Sequence, residues 1–476
     1  MYNEVRLYLG GETTLQLQSS QEALLPAYLA SFDRLCGDRR TQVTLGETVK
    51  GIIGAGSLVC QQIAASSAIL STAKEGGQRV SRLARGESTK RSPINAETLT
   101  AVLRGRGLAH LSGTDADELW LIADGSELRK PYAREMPYLM QVLDLEHKLV
   151  PGYRTMNVIG VVPSRRGLLY HRLFSSKEED FLSESKEVQW ALQTVSEALQ
   201  AVKERMSVTW ILDTGFDDVA VWRTIWEQKE HVVCRLKHKE RLIEYQDQDG
   251  RWVKGDVQGA LQELQPMCNA WTEMVVRRGR QHKAKRQPVP VKIRACPVRL
   301  TYQTNVRREG PGQEVQKELW LVEVRLSGTK HKPWLLLTDW PVTDADSALR
   351  IFRMYRQRWA VEDGFRFIKD VLGWEDVQLL DLEGIRTLLA LGCVAAGFLY
   401  ELGVTLEHEG VQLLARLGGW IPRKDSKPGK IVLTRGLRRL LDLLVTNAVL
   451  DRYRSEHGDL PPQIAAFLQP SPSGEL

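Results

Sequence analysis

Two short apolar runs, each stopping at an acid, constrain this chain most. Leu119-Trp120-Leu121-Ile122-Ala123 ends at Asp124, and Val208-Thr209-Trp210-Ile211-Leu212 ends at Asp213. Both are too short for a stable helix and apolar but for Thr209, the pattern of a buried strand. Trp334-Leu335-Leu336-Leu337-Thr338 repeats it later. Between them, 156–163 and 167–174 alternate like strands, and Ser164-Arg165-Arg166 can turn one into the other as a hairpin. Segments 183–206 and 217–227 have helical character, and 232–236 reads as a further strand. Strands alternating with helices predict a mixed α/β fold around a central sheet.

A length of 476 residues exceeds one ordinary core, so several domains are expected. Residues 14–110 read as helical, with a basic run at Arg79, Arg82, Arg85, Lys90 and Arg91. That run fits either a small DNA-binding domain or a solvated basic linker. Residues 238–333 break the α/β rhythm with short strand candidates at 240–246, 273–277, 289–293, 298–303 and 318–326. From 274 to 306 this β-rich insertion has no acid, yet it carries Arg277, Arg278, Arg280, Lys283, Lys285, Arg286, Lys292, Arg294 and Arg299. A field of one sign over such a length points to phosphates. A long helix is expected from Thr343 or Asp344, either able to cap it, to Leu372-Gly373. Residues 383–450 read as further helices, and 469–474 as a disordered tail. The expected divisions are 1–110 (helical, DNA-binding), 111–237 (core, first part), 238–333 (insertion), 334–380 (core, second part) and 381–476 (helical, with the tail).

Composition narrows the class. Charged residues are 26%, hydrophobic residues 43%, and the net charge is +6, an ordinary globular balance that permits nucleic-acid binding. The six cysteines form no C-x-x-C pair or zinc-ligand spacing and read as reduced thiols. Met1-Tyr2-Asn3-Glu4 lacks the basic start of a signal peptide, and the apolar stretch 388–400 fits a buried helix better than a membrane span. A cytoplasmic protein, associated with the nucleoid and not with membrane, is expected.

The chemistry concentrates in Tyr355-Arg356-Gln357-Arg358-Trp359-Ala360-Val361-Glu362 and on to Lys369. At about 100° per residue, Tyr355, Arg358, Glu362 and Lys369 fall within roughly 60° of one another on a single helix. Phe352, Trp359, Phe367 and Leu372 would face the core. An acid among cationic side chains suits a hard divalent cation held beside DNA phosphates. Asp124, Asp213 and Glu362, presented by rigid elements, would bind two Mg²⁺ ions, with Mn²⁺ as the alternative metal. Such a pair activates an attacking hydroxyl and stabilises the leaving oxygen at a phosphodiester. Asp217 and Asp218 compete with Asp213 for its place, or cap the helix that follows. Tyr355 would stack on a base or donate to a phosphate, with Arg358 and Lys369 as phosphate contacts. The bland alternative is a set of surface salt bridges such as Arg358 with Glu362.

Tyr355-x2-Arg358-x3-Glu362-x6-Lys369 resembles the signature of the bacterial DDE transposases of the type-four insertion-sequence family. Leu121 to Ser126 resembles the first-acid region of that family, and Ile211 to Asp217 the second, with Thr214 where a basic residue is usual. The resemblance implies an RNase H-like core interrupted by a β-rich insertion, with Asp124, Asp213 and Glu362 as the metal-binding catalytic triad. It also implies DNA contacts by Tyr355, Arg358 and Lys369. The expected partners are double-stranded DNA, as terminal inverted repeats and as target, and a second copy of the chain in the DNA complex. The expected activity is cut-and-paste transposition. A standalone metal-dependent nuclease and an inactive DNA-binding derivative stand as alternatives. Trp252, Trp271 and Trp320 are either base-stacking wedges or packing residues.

Overall fold

The computed structural model describes residues 24–67, 69, 72–87, 94–276, 285–303, 313–421 and 427–464. The chain divides into two compact units, Met1–Val102 with Phe367–Leu476, and Leu103–Arg366. In the first, the helices Arg39–Ala55, Cys60–Ala65 and Ala73–Ala84 pack together. Asp38 caps the first of them by accepting from the Thr41 amide at 2.8 Å, and Gly56 ends it in the left-handed region at φ 61°. The helix Leu382–Thr405 is long and apolar enough to cross a membrane, but its Leu388, Leu389, Leu391 and Val394 are fully buried within this unit. It is a core helix, as the sequence suggests, and Asp381 caps it through the Gly384 amide at 2.6 Å.

Unit 103–366 is an open sheet with helical flanks. Its strands are β1 (Glu118–Arg129), β2 (Met140–Leu143), β3 (Leu149–Val162), β4 (Arg165–Phe174), β5 (Ser207–Leu212), β6 (His231–Arg235), β7 (Leu242–Gln246), β8 (Trp252–Asp256), β9 (Gln265–Val276), β10 (Lys285–Gln303), β11 (Glu314–Leu326) and β12 (Trp334–Thr338). They run in the order β4-β3-β1-β5-β6-β12-β11-β10, with β2 also on β3, β7 and β9 on β10, and β8 on β7. The pairs β1/β5 and β5/β6 are parallel, and the rest are antiparallel. A meander followed by two parallel strands is consistent with an RNase H-like core. The expected hairpin is present as β3 and β4. The basic insertion does not stand apart, because β11 pairs with β12 and continues the same sheet.

Alternation decides which side chains enter the core. Leu121, Ala123, Val158, Trp210 and Leu212 join Leu192, Val195, Trp222 and Ile225 of the helices Glu184–Glu197 and Val219–Glu227 in one apolar cluster. Their sequence neighbours Ile122 and Ile211 point to the other face and are also fully buried. The helix Ala345–Arg356 packs on β6, β9 and β10, and the helix Trp359–Arg366 packs on β1. Asp344 starts the first of these in a reciprocal capping box with Ser347, as expected.

Candidate active site

Ile122 of β1 lies opposite Ile211 of β5, where the parallel ladder stops. Asp124 and Asp213 each stand two residues further on, so the two carboxylates take matching positions on adjacent strands and the same face. Only one of them ends its strand. Asp213 follows the last residue of β5, whereas β1 continues to Arg129 because the longer β3 keeps pairing with it. Asp124 therefore sits where one neighbour is lost and the other persists, not at the strand end that the apolar run predicts.

The third acid arrives on a helix that is not continuous. In place of one helix from 344 to 372, the structure has Ala345–Arg356, Trp359–Arg366 and a wide π-turn at Phe367–Val371. At the first break Arg358 N bonds Tyr355 O at 3.0 Å, Ala360 N bonds Gln357 O at 2.7 Å and Val361 N bonds Arg358 O at 3.1 Å. Each bond spans three residues instead of four, so the turn is tightened. Trp359 packs edge-on to Trp334 at 5.9 Å there. Beyond the break, Glu362 is exposed in the first turn of the second helix.

Arg358 joins the acids. Its guanidinium lies 3.4 Å from Asp213 Oδ2 and 2.6 Å from Glu362 Oε1, and the side chain is 12% exposed. The expected Arg358–Glu362 bridge is present, with Glu362 exposed, and the largely buried Arg358 side chain joins it to Asp213. Tyr355 Oη donates to Asp213 Oδ1 at 3.0 Å, and Arg235 Nη1 lies 3.9 Å from the same oxygen. Tyr355 is buried at 3% exposure with its ring edge-on to Trp334 at 5.2 Å. A base cannot stack on it, which corrects that expectation; burial and Asp213 hold its hydroxyl above the usual range, as a donor. Asp124 is half-buried and its carboxyl is pushed up to about 7, mainly by burial, with the charges of Asp213 and Glu362 adding and Arg358 and the Gly125 amide opposing. Among the described residues, no three His, Cys, Asp or Glu side chains converge tightly enough to hold a metal ion. The donor set nevertheless suits a hard cation, since it consists of carboxylate oxygens only.

Other expected site residues fall elsewhere. Lys369 lies past the division at Phe367, in the other unit, and pairs with Glu375 at 3.1 Å. Asp217 accepts from the Lys237 and His238 amides at 2.6 and 2.8 Å and pairs with Arg241, and Asp218 caps the helix Val219–Glu227. Both therefore have structural tasks. On β10, Arg294 pairs with Glu323 at 2.7 Å and Arg299 with Glu318 at 2.8 Å. The field of one sign is thus partly neutralised from β11. Arg286 and Lys292 are exposed. Lys285 begins β10; Arg277, Arg278, Arg280 and Lys283 lie outside the described residues, as do Lys90, Arg91 and the tail. Arg299 covers the Trp252 ring at 3.8 Å, Trp320 is half-buried, and Trp271 is 71% exposed.

Arg235 is the residue that sequence reasoning missed. It ends β6, and with His331, Lys332, Trp334, Tyr355, Arg358 and Trp359 it lines a cavity of about 170 Å³. A cation at the carboxyl end of a third parallel strand, next to two strands that carry acids in matching places, was the available signal.

Residues 187–398 match the family model described as a transposase DDE domain. A transposase DDE domain is therefore present, and it supports a transposase-type, DNA-binding and enzymatic function. The match includes Asp213 and Glu362 and begins after Asp124. Among solved structures, the chain is similar to one described as a piggyBac transposase synaptic complex with hairpin DNA, at 10% identity and a TM-score of 0.37. The similarity covers 75% of this chain and 58% of the other, so it spans little more than half of that protein's length. No curated protein matches the chain.

Proposed function

We propose that this chain is a DNA transposase whose Asp124, Asp213 and Glu362 form a metal-dependent phosphodiester site on an RNase H-like core. The reading rests above all on Asp124 and Asp213 in matching places on adjacent parallel strands, with Glu362 tied to Asp213 through Arg358. Strand order and the transposase DDE domain support it. Asp124, Asp213 and Glu362 would hold a pair of Mg²⁺ or Mn²⁺ ions, which when bound acidify the attacking hydroxyl and stabilise the leaving oxygen. Tyr355 orients Asp213 by donating to it, and Arg358 supplies counter-charge to Asp213 and Glu362. The Arg235–His331–Lys332 cavity offers the scissile strand a cationic seat for a phosphate beside the acids.

The substrates in this reading are the terminal inverted repeats of a mobile element, cut and then joined to target DNA as in the type-four insertion-sequence family. Exposed Arg286 and Lys292 of β10 are proposed backbone contacts, and the basic N-terminal helices a second DNA-reading surface. Pairing of two copies on paired ends is part of the same proposal. The test incubates the full chain with labelled repeat ends from its own locus, Mg²⁺ and a target plasmid. Joined product is expected, and its loss in Asp124→Ala, Asp213→Ala and Glu362→Ala. Cutting without joining would make the chain a nuclease, and tight binding with neither would make it an inactive derivative. Cleavage retained in all three variants would end the site assignment.

A further inference from the structure

A row of polar side chains crosses the sheet beside the candidate acids. Asp124 of β1 lies directly opposite Asn157 of β3, and Asn157 directly opposite His171 of β4. Opposed residues of antiparallel strands project from the same face. Their neighbours Ala123, Val158 and Tyr170 belong to the apolar cluster on the reverse side, which confirms the parity. Asn157 and His171 are 2% and 5% exposed. An amide and an imidazole buried this deeply are costly unless hydrogen-bonded.

The bonds run in one direction. His171 Nδ1 lies 2.8 Å from Asn157 Oδ1. An amide oxygen only accepts, so the ring nitrogen donates. Asn157 Nδ2 donates to Thr155 Oγ1 at 2.9 Å, and Thr155 Oγ1 donates to the Ser126 carbonyl at 3.1 Å. The chain of donors returns to β1 two residues past Asp124. With its oxygen turned to His171, the Asn157 amide has two N–H donors, of which Thr155 takes one.

We propose that Asn157, locked by His171 and Thr155, is a positioning residue that holds the Asp124 carboxylate in the orientation in which it takes a hard divalent cation. This rests on the metal-site reading above. An inert packing role would be met as well by apolar residues of similar volume, whereas a fixed donor opposite an acid does what partners of metal-bound carboxylates do.

The test uses the full chain and Mn²⁺ alone, with bound metal followed by electron paramagnetic resonance and folding by thermal unfolding. Asn157→Leu and His171→Leu are expected to bind Mn²⁺ about tenfold or more weakly. His171→Gln keeps an N–H for Asn157 Oδ1 and is expected to restore most of the affinity. Wild-type Mn²⁺ affinity in both Leu variants, beside an Asp124→Asn control that has lost it, would overturn the positioning role alone. Unchanged affinity in Asp124→Asn would overturn the metal site and the proposal with it. Should the Leu variants fail to fold, Asn157→Ser removes the amide at little steric cost, and wild-type affinity there overturns the proposal equally.

Discussion

At the scale of single residues, Asp124 carries the clearest consequence of burial beside like charge. Burial pushes its carboxyl up to about 7 in the folded chain, from an ordinary value of 3.8. Between those values the folded state keeps a proton that the unfolded state has released. Stability therefore falls as pH rises through this window, and the loss is complete above it. Asp124→Asn removes the term. The metal-free variant is expected to match the wild type near pH 4 and to melt a few degrees higher above pH 7, as thermal scans across pH will show. Buried His171, pushed down to about 4, contributes the opposite slope. Its stability is lost as pH falls from 6.5 towards 4 and is common to both proteins, so comparing them at each pH isolates Asp124. Tyr355 gives a second prediction. Tyr355→Phe keeps the ring against Trp334 and loses one hydrogen bond to a charged oxygen. Such bonds contribute about 1.5–3 kcal/mol to stability, so the melting temperature should fall by several degrees, and cleavage of labelled ends should fall as well because Asp213 loses its orienting donor.

Elements show which parts of the fold were legible and why. The strand ending at Asp213, the hairpin of β3 and β4 and the cap at Asp344 were readable because alternation, turn residues and caps are written in adjacent positions. Both aspartates were readable for the same reason. The breaks around Glu362 were not. Helical periodicity runs through 357–358 undisturbed, and nothing local marks Trp359 as the partner of Trp334. The pairing of Lys369 with Glu375 and of Arg294 with Glu323 was hidden likewise, since only the folded chain brings those partners together. Gly373 was legible as a terminator, and it tests how firmly the segment after Glu362 is pinned. Its φ is +61°, and an added Cβ would meet Asp376 Oδ2 at 2.6 Å and the Gly56 carbonyl and Ser57 Cα at 2.7 Å. The left-handed backbone alone costs a side chain about 1–2 kcal/mol. Gly373→Ala should lower the urea midpoint of unfolding by at least that equivalent, because backbone atoms cannot step aside as a flexible side chain can.

For the whole molecule, charge placement and metal linkage matter more than the net +6. Arg286 and Lys292 are exposed, whereas Arg294 shares Glu323 with Arg325. The double variant Arg286→Ala/Lys292→Ala should lower the slope of log affinity for duplex DNA against log salt by about two, and Arg294→Ala by much less. Divalent metal supplies the last and widest prediction. A cation that binds only the folded state stabilises it by about 2.7 kcal/mol at a hundred times its Kd. All three acids lie in unit 103–366, so that stabilisation originates there. Mn²⁺ at pH 8 should slow hydrogen exchange in β1 and β5 first, with the helix Leu382–Thr405 of the other unit least affected. Because Asp124 must release its proton to take the metal, the protection should fade as pH drops below 7. Asp124→Asn and Asp213→Asn should abolish it at every pH. Equal protection across both units, or protection that survives in the two variants, would place the metal away from these carboxylates and leave the paired aspartates without their proposed task.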